Sequence, residues 1–155
     1  MQTIEQLLDE APALQGLAPE HRATLVGCAS NCVFADGERI MREGDPSDAF
    51  YVIRDGAVAL ETEVPGRGTI VVHTLHDDEL LGWSWLVPPY RVAFDARSLG
   101  TTHAIALDGA CLRGKCEADP ALGYELLKIV STVFVERLHD TRVRLLDLYG
   151  KGAGA

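Results

Sequence analysis

The chain has 155 residues, 47% of them hydrophobic and 24% charged, and its 23 acidic against 14 basic side chains give a net charge of −9. This length corresponds to about one domain, and the composition is that of an ordinary globular protein. Binding to nucleic-acid phosphates or to an anionic membrane surface depends on cationic side chains, so the acidic charge disfavours both partners. No apolar run approaches the ~18 residues of a membrane span, and the acidic start is unlike a signal peptide. We therefore expect a soluble, cytoplasmic domain.

The first 28 residues are predicted to be helical. Thr3 and Gln6 have the spacing of a capping box, in which each residue hydrogen-bonds the backbone of the other. Pro19 suits the first position of a second short helix.

Four cysteines form two loose pairs in the sequence, Cys28 with Cys32 and Cys111 with Cys116. Neither pair has the C-x-x-C spacing of a zinc knuckle or a thioredoxin-like site. Because disulfides are rare in the cytoplasm, we expect small buried thiols with no redox or metal role.

Turn-forming residues recur about every ten residues through the middle of the chain. They are found at Asp36-Gly37, Glu43–Pro46, Arg54–Gly56, Pro65–Gly68, Asp77-Asp78, Pro88-Pro89 and Asp108-Gly109. Between them, β-branched and aromatic residues predict short strands at Phe50–Ile53, Val58–Leu60, Thr69–Val72, Arg91–Leu99 and Thr102–Leu107. Short strands at this spacing are typical of a sandwich or barrel. We therefore predict a mainly β domain, with a β-roll from about residue 30 to residue 110.

A long helix is predicted over residues 120–149, since Asp119 is a good N-cap, Pro120 fits the first turn and Gly150 is a suitable stop. Its apolar residues form two stripes at helical spacing. The inner stripe is Leu122, Leu126, Ile129 and Val133, and the outer stripe is Leu127, Phe134, Leu138, Leu145 and Leu148. One stripe can pack on the domain's own β-roll, whereas the second favours a partner helix and hence a homodimer. The alternative is a helix covered on all sides by its own domain.

Residues 34–60 contain an ordered set of motifs: Gly37-Glu38, Ile40, Glu43-Gly44-Asp45, Phe50-Tyr51, Ile53 and Gly56. In this order they resemble the cyclic-nucleotide-binding domain of the catabolite activator (Crp/Fnr-like) family and of regulatory subunits of cyclic-nucleotide-dependent kinases. The resemblance extends over about residues 10–149. It implies a single jelly-roll domain, cupin-like in shape, with N-terminal helices, a long C-terminal helix and a regulatory role in signal transduction. Family transcription factors continue with a helix-turn-helix, whereas we expect residues 150–155 to be only a short tail.

In that family, cyclic AMP or cyclic GMP is held by a cassette in which a Gly-Glu pair opens a short helix and an Arg precedes two small residues. Backbone N–H groups and the Arg hold the phosphate, and the Glu accepts a hydrogen bond from the ribose 2′-hydroxyl. The matching residues of this sequence are Gly82, Trp83, Ser84, Arg91, Val92 and Ala93. Trp83 stands in the place of the Glu, and an indole has no acceptor for the hydroxyl proton.

Two functions are compatible with this cassette. The first is a sensor that binds a nucleotide or another anion through Arg91 and the amides after Gly82. The second is a ligand-free dimeric interaction or regulatory module whose pocket is filled by Trp83 or Trp85. An open pocket beside Arg91 would favour the first function, and an indole inside the pocket would favour the second.

An enzyme is the weaker interpretation of the sequence. His73 and His76 are three residues apart on a predicted strand, so their side chains point to opposite faces and do not form the metal pair of a cupin enzyme. No nucleophile, base and acid occur together in the context that catalysis needs. We expect no catalytic residue and no metal ligand.

Overall fold

The computed structural model describes residues 1–153, and Gly154 and Ala155 lie outside the described part. Helices flank a central sheet on both sides in the sequence. The elements are α1 Ile4–Glu10, α2 Pro19–Leu25, β1 Ala29–Phe34, β2 Arg39–Met41, β3 Ala49–Val64, β4 Gly68–Leu75, β5 Leu80–Leu81, β6 Asp95–Asp108, α3 Gly109–Ala118 and α4 Pro120–Ala153. Short 3₁₀ turns occupy Pro12–Leu14 and Val26–Cys28.

The six strands form one antiparallel sheet in the order β1-β6-β3-β4, with β2 paired to β6 and β5 paired to β3. The central strands β3 and β6 are 16 and 14 residues long, and each pairs with different strands along its length: β3 with β5 and then β4, and β6 with β2 and then β1, while the two also pair with each other. This confirms the predicted mainly β fold with flanking helices.

Both long strands continue across breaks between predicted strands: β3 passes through the predicted turn at Arg54–Gly56, and β6 passes through the gap between residues 99 and 102. Gly56 has φ +126°, and a Cβ at this position would lie 2.8 Å from the Thr102 Cα, so only glycine fits the irregular pairing with β6. Gly100 has φ +70° within β6. The predicted separation of these segments into short strands is therefore wrong, because glycine at a bulge has the same sequence signature as glycine at a turn.

The N-terminal helices cover one end of the sheet. The predicted capping box of α1 is confirmed, with Thr3 and Gln6 each bonding the other's backbone. The main core joins these helices, the sheet and α4. Its fully buried side chains include Leu8, Leu14, Leu25, Phe50, Trp85, Leu107, Leu112, Leu122 and Leu126.

The helix α3 was missing from the prediction, which placed a turn at Asp108-Gly109 and ended the β-roll near residue 110. Asp108 is in fact the N-cap, since its carboxylate accepts a hydrogen bond from the Cys111 N–H at 2.8 Å. An Asp-Gly pair suits a helix start as well as a turn, because the same side-chain hydrogen bond is used in both.

The expectation of four free thiols is also wrong, since Cys28 and Cys111 form a disulfide across 83 positions of sequence. The sheet brings them together: Ala29 pairs with Leu107, so the residues just beyond these ends of β1 and β6 are neighbours. Cys32 and Cys116 remain thiols, and burial raises the pKa of each.

The helix α4 continues through the predicted stop at Gly150 to Ala153, so the first part of the predicted tail is helical and only its end lies beyond the described residues. The inner stripe is buried or half-buried, as predicted. In the outer stripe, Phe134 is half-buried against the core, whereas Leu127, Leu138, Leu145 and Leu148 are exposed. No helix in the described range is long and apolar enough to cross a membrane.

Candidate ligand-binding site

The cassette loop, residues 82–94, connects β5 to β6. The predicted short helix is replaced by turns, in which the Leu86 N–H donates to the Trp83 carbonyl at 3.1 Å and the Val87 N–H to the Ser84 carbonyl at 3.3 Å. The amides after Gly82 therefore do not form the N-terminus of a helix. Gly82 has φ +87°, a backbone conformation that favours glycine, and the Met41 side chain packs against it with its Cε 2.6 Å from the position of a Cβ.

Five of the six predicted site residues meet around one cavity, the cassette cavity. They are Gly82, Trp83, Ser84, Val92 and Ala93, and the remaining walls are Met41, Ser47, Leu60, Leu81, Phe94 and Arg137. The cavity measures about 20 Å³. That is room for about one water molecule.

Arg91, the sixth residue, is exposed and lies outside the lining of the cavity. Its backbone forms a bridge with Pro46, and the next N–H, of Val92, donates to the Asp45 carbonyl at 2.8 Å. Side chains alternate in direction along extended backbone, so Val92 points into the cavity and Arg91 points away. The structure therefore does not bring the predicted anion-binding arginine to the other cassette residues.

The two tryptophans of the loop have different surroundings. Trp85 is fully buried, and its ring lies 5.5 Å from that of Phe50 in the main core. Trp83 is half-buried at the edge of the cassette cavity, where its ring meets Phe134 of α4 at 5.0 Å and 81°. Edge-to-face contact of this kind is favourable for aromatic rings. Trp83 therefore joins the loop to the C-terminal helix.

Arg137 is a functional candidate that the sequence analysis missed. It reaches from α4 to the cassette cavity, and its guanidinium donates to the Leu80 carbonyl at 3.0 Å. Burial lowers the pKa of this arginine, and the nearby carboxylates of Glu79 and Glu136 oppose the shift. Arg137 lies four residues after Val133, so it extends the inner stripe by one turn. Because the stripe was defined by apolar residues alone, it does not include this arginine.

One polar atom of the cavity wall is unsatisfied. Within residues 1–153, the hydroxyl of Ser47 is buried and has no hydrogen-bond partner, and the same is true of the Trp85 indole N–H in the core. Ser47 lines the cassette cavity, so its hydroxyl could bond a small polar guest there.

A larger groove, of about 410 Å³, lies on the other side of Arg137. It runs between α4, the first 3₁₀ turn and the β4–β5 connection. Its lining includes four carboxylates, from Asp78, Glu79, Glu136 and Asp140. These charges disfavour the approach of an anionic ligand from this side.

The histidines weighed as metal ligands do not form a pair. His73 lies in β4 opposite Leu60, whereas His76 lies beyond the end of that strand. The backbone N–H of His76 donates to the Glu79 carboxylate, which closes the turn before β5. In the described part of the chain no three His, Cys, Asp or Glu side chains are grouped to hold a metal ion.

The model of the cyclic nucleotide-binding domain matches residues 32–119, which include every strand after the start of β1, the whole cassette loop and α3. The chain belongs to the cyclic nucleotide-binding domain family. The resemblance found in residues 34–60 is thereby confirmed.

Relatives of this cyclic nucleotide-binding domain are regulatory proteins. The chain is 34% identical over 107 residues to a cAMP-dependent protein kinase regulatory subunit of Dictyostelium discoideum, covering 67% of the chain and 33% of the relative. It is 23% identical over 145 residues to a CRP-like cAMP-activated global transcriptional regulator of Mycobacterium tuberculosis, covering 94% and 63%. The chain thus spans less than two thirds of either protein.

The fold of the domain is shared with solved structures. A crystal structure of a cyclic nucleotide-binding domain from Methylobacillus flagellatus KT superposes with a TM-score of 0.77 at 17% identity, covering 92% of this chain and 80% of that one. At this level of identity, the likeness concerns the fold alone.

Proposed function

We propose that the chain is a regulatory domain whose nucleotide pocket is closed by its own side chains, and that it acts as a dimeric interaction module without a ligand. The cassette cavity carries this proposal. It measures about 20 Å³, whereas pockets for small-molecule ligands measure roughly 300–1,000 Å³. The named relatives are regulatory proteins, and we likewise assign no catalytic residue to this chain.

The side chains that close the cavity come from three parts of the fold. Met41 of β2 packs against Gly82, Trp83 of the cassette loop packs against Phe134, and Arg137 of α4 closes the side toward the acidic groove. The loop and α4 are thus in direct contact through Trp83 and Phe134.

The exposed face of α4 supports assembly with a second copy. Leu138, Leu145 and Leu148 are at least half exposed, at 65%, 50% and 67%. Leu138 and Leu145 are one heptad apart, the spacing of a coiled-coil seam. A second α4 presents the same surface, so a two-fold pairing buries both copies.

Calorimetric titration of cyclic AMP and cyclic GMP tests the proposal. The unmodified chain should give no saturable heat with either nucleotide. The double variant Met41→Ala, Trp83→Glu removes two closing side chains and supplies an acceptor for a ribose hydroxyl. Saturable binding of either nucleotide by the unmodified chain would contradict the closed pocket, independently of the result for the double variant.

The second candidate is a sensor of a nucleotide or a small anion, and two features of the cavity favour it. Ser47 offers an unpartnered hydroxyl there, and Arg137 offers a half-buried cation. For this function the loop would have to open, and Arg91 would have to turn inward. Inorganic phosphate should then bind the unmodified chain, and Arg91→Ala should weaken it by about 1.5–3 kcal/mol, the range for a hydrogen bond to a charged group.

A further inference from the structure

The disulfide between Cys28 and Cys111 joins the N-terminal helical segment to α3. Cys28 ends the 3₁₀ turn that precedes β1, and Cys111 lies in the first turn of α3. We propose that this bond is a thiol–disulfide exchange site, opened by a dithiol reductant, that controls how firmly α3 holds the cassette loop. In a cytoplasmic setting, which the sequence favours, disulfides are usually transient, catalytic or redox-sensing.

The two cysteines differ in exposure. Cys28 is buried, at 8% exposure, whereas Cys111 is half-buried, so a reductant reaches Cys111 more readily. A thiolate of the reductant attacks the Cys111 Sγ, the Cys28–Cys111 bond breaks, and its electron pair leaves on the Cys28 Sγ. The second thiol of the reductant then displaces Cys111 from the mixed disulfide. Two electrons and two protons pass to the protein, which gains two thiols, and the reductant gains one disulfide.

One neighbouring charge favours the Cys28 thiolate that this exchange releases first. Lys115 lies one turn after Cys111, and its Nζ is 3.6 Å from the position of a Cβ on Gly27, the residue before Cys28. A neighbouring cation stabilises a thiolate. Lys115 is thus the cation in the neighbourhood of the departing Cys28 thiolate, whereas the Cys111 N–H is already bonded to the Asp108 carboxylate and is not free to stabilise a Cys111 thiolate.

The same helix holds the cassette loop close to the disulfide. Arg113 donates to the Trp85 carbonyl at 2.8 Å, and its guanidinium lies 4.6 Å from the centre of the Tyr90 ring. Gly109 packs so tightly on Trp85 that a Cβ there would lie 3.1 Å from the Trp85 Cβ. Opening the bond frees the first turn of α3 from the N-terminal segment, and the contacts to Trp85 and Tyr90 loosen with it.

The other two cysteines provide a clean background for the test. Cys32 and Cys116 lie outside the bond, so the variant Cys32→Ser, Cys116→Ser keeps only the proposed pair. Under native conditions this variant is equilibrated with mixtures of reduced and oxidised dithiothreitol. Free thiols are counted by maleimide mass shift, and tryptophan emission is followed in parallel.

We expect one reversible two-electron transition, a change in tryptophan emission along it, and a melting temperature about 5–15 °C lower in the reduced form. The proposal fails if thiols appear no faster than the chain unfolds, which would make the bond a structural cross-link only. It also fails if no bond forms in the oxidised buffer, or if emission is unchanged on reduction.

Two further variants and one control test the roles of the charged residues. Lys115→Gln should slow reduction by roughly threefold or more, because the departing thiolate loses its cation. Lys128→Gln is the matched control, since Lys128 stacks on Tyr124 of α4 and should leave the rate unchanged. Arg113→Gln should preserve exchange but reduce the emission change. Equal reduction rates for the two lysine variants would show that Lys115 does not assist the exchange. An undiminished emission change in Arg113→Gln would show that Arg113 does not couple the disulfide to the cassette loop.

Discussion

The rings of Trp83 and Phe134 meet edge to face, with 5.0 Å between their centres and 81° between their planes. One ring belongs to the cassette loop and the other to the long C-terminal helix. Phe134 therefore faces the interior, although it belongs to the predicted outer stripe, and Trp83, which we match to the family's glutamate only by resemblance, contacts α4.

Truncation of this pair should destabilise the domain. We expect Phe134→Ala to lower the free energy of unfolding by about 2–3 kcal/mol, somewhat below the cost for a fully buried phenylalanine. Val135→Ala, at an exposed position of the same helix, should stay within about 0.5 kcal/mol. Urea unfolding measures both variants. Equal effects would show that the ring contact does not stabilise the fold.

Charges on the exposed face of α4 should prevent dimerisation. The double variant Leu138→Lys, Leu145→Lys places like charges at adjacent seam positions, so it should sediment as a folded monomer. His139→Lys is the control, because it lies about 100° around the helix from Leu138. An unchanged sedimentation coefficient in the double variant would exclude this face from the interface.

Gly56 should tolerate no side chain. A Cβ there would lie within 2.9 Å of Thr101 and Thr102 atoms, so Gly56→Ala should cost roughly 3 kcal/mol or more. Gly66 also has a positive φ, +79°, but nothing lies within 4 Å of its Cβ position. Gly66→Ala should therefore cost only about 1–2 kcal/mol, the price of the backbone conformation alone. Thermal unfolding of both variants separates the steric clash at residue 56 from the backbone strain that both positions share. Similar losses of stability in the two variants would show that the clash adds nothing.

The contact between α2 and α4 should make stability depend on pH. His21 Nδ1 lies 2.5 Å from the Glu125 Oε2, and its Nε2 lies 3.2 Å from the Asp119 Oδ2. The hydrogen bond to Glu125 raises the pKa of His21 above 6.5, an effect that burial opposes and the charges of Glu125, Asp119 and Glu20 reinforce. The same hydrogen bond lowers the pKa of Glu125.

Because the pKa of His21 is higher in the folded state, its stabilisation is complete below pH 6.5 and is lost as the pH rises through the raised value. Glu125 contributes the opposite dependence at acidic pH, because the stabilisation from its ionised carboxylate is lost as the pH falls through its lowered pKa. The free energy of unfolding of the unmodified chain should thus exceed that of His21→Gln by less as the pH rises from 6.5 through the raised pKa, measured by denaturant unfolding across that range. His139→Gln, the same substitution at an exposed position of α4, is the control. A constant difference for His21→Gln would contradict the ion pair.

The sequence predicted the fold because its motifs and turn spacing are local features. The order of glycines, acids and aromatics over residues 34–60 was sufficient for the family, and the inner stripe correctly predicted which face of α4 is buried. The errors at Gly56 and at Asp108-Gly109 arise because a bulge, a turn and a helix start use the same residues. Only the neighbouring strand decides between them.

The candidate site was less predictable, since its closure depends on distant parts of the chain. Met41 and Arg137 reach the cassette from elements 41 and 55 positions away from Gly82, and no local pattern connects them to it. The disulfide likewise depends on the register of β1 and β6. The direction of Arg91 follows from its bridge with Pro46, which the motif alone does not specify.

The length of α4 has a mechanical consequence. Ala153 lies 19 residues beyond Phe134, which is about 28 Å along a straight helix at 1.5 Å per residue. A helix of this length acts as a lever, so a rotation of about 5° at the Trp83–Phe134 contact displaces its tip by roughly 2–3 Å. Arg144 donates to the Val72 carbonyl of β4 partway along this arm, so the same rotation pulls on the β3–β4 hairpin. A rotation of α4 too small to open the cassette cavity thereby gives a larger displacement at the C-terminal end of this helix.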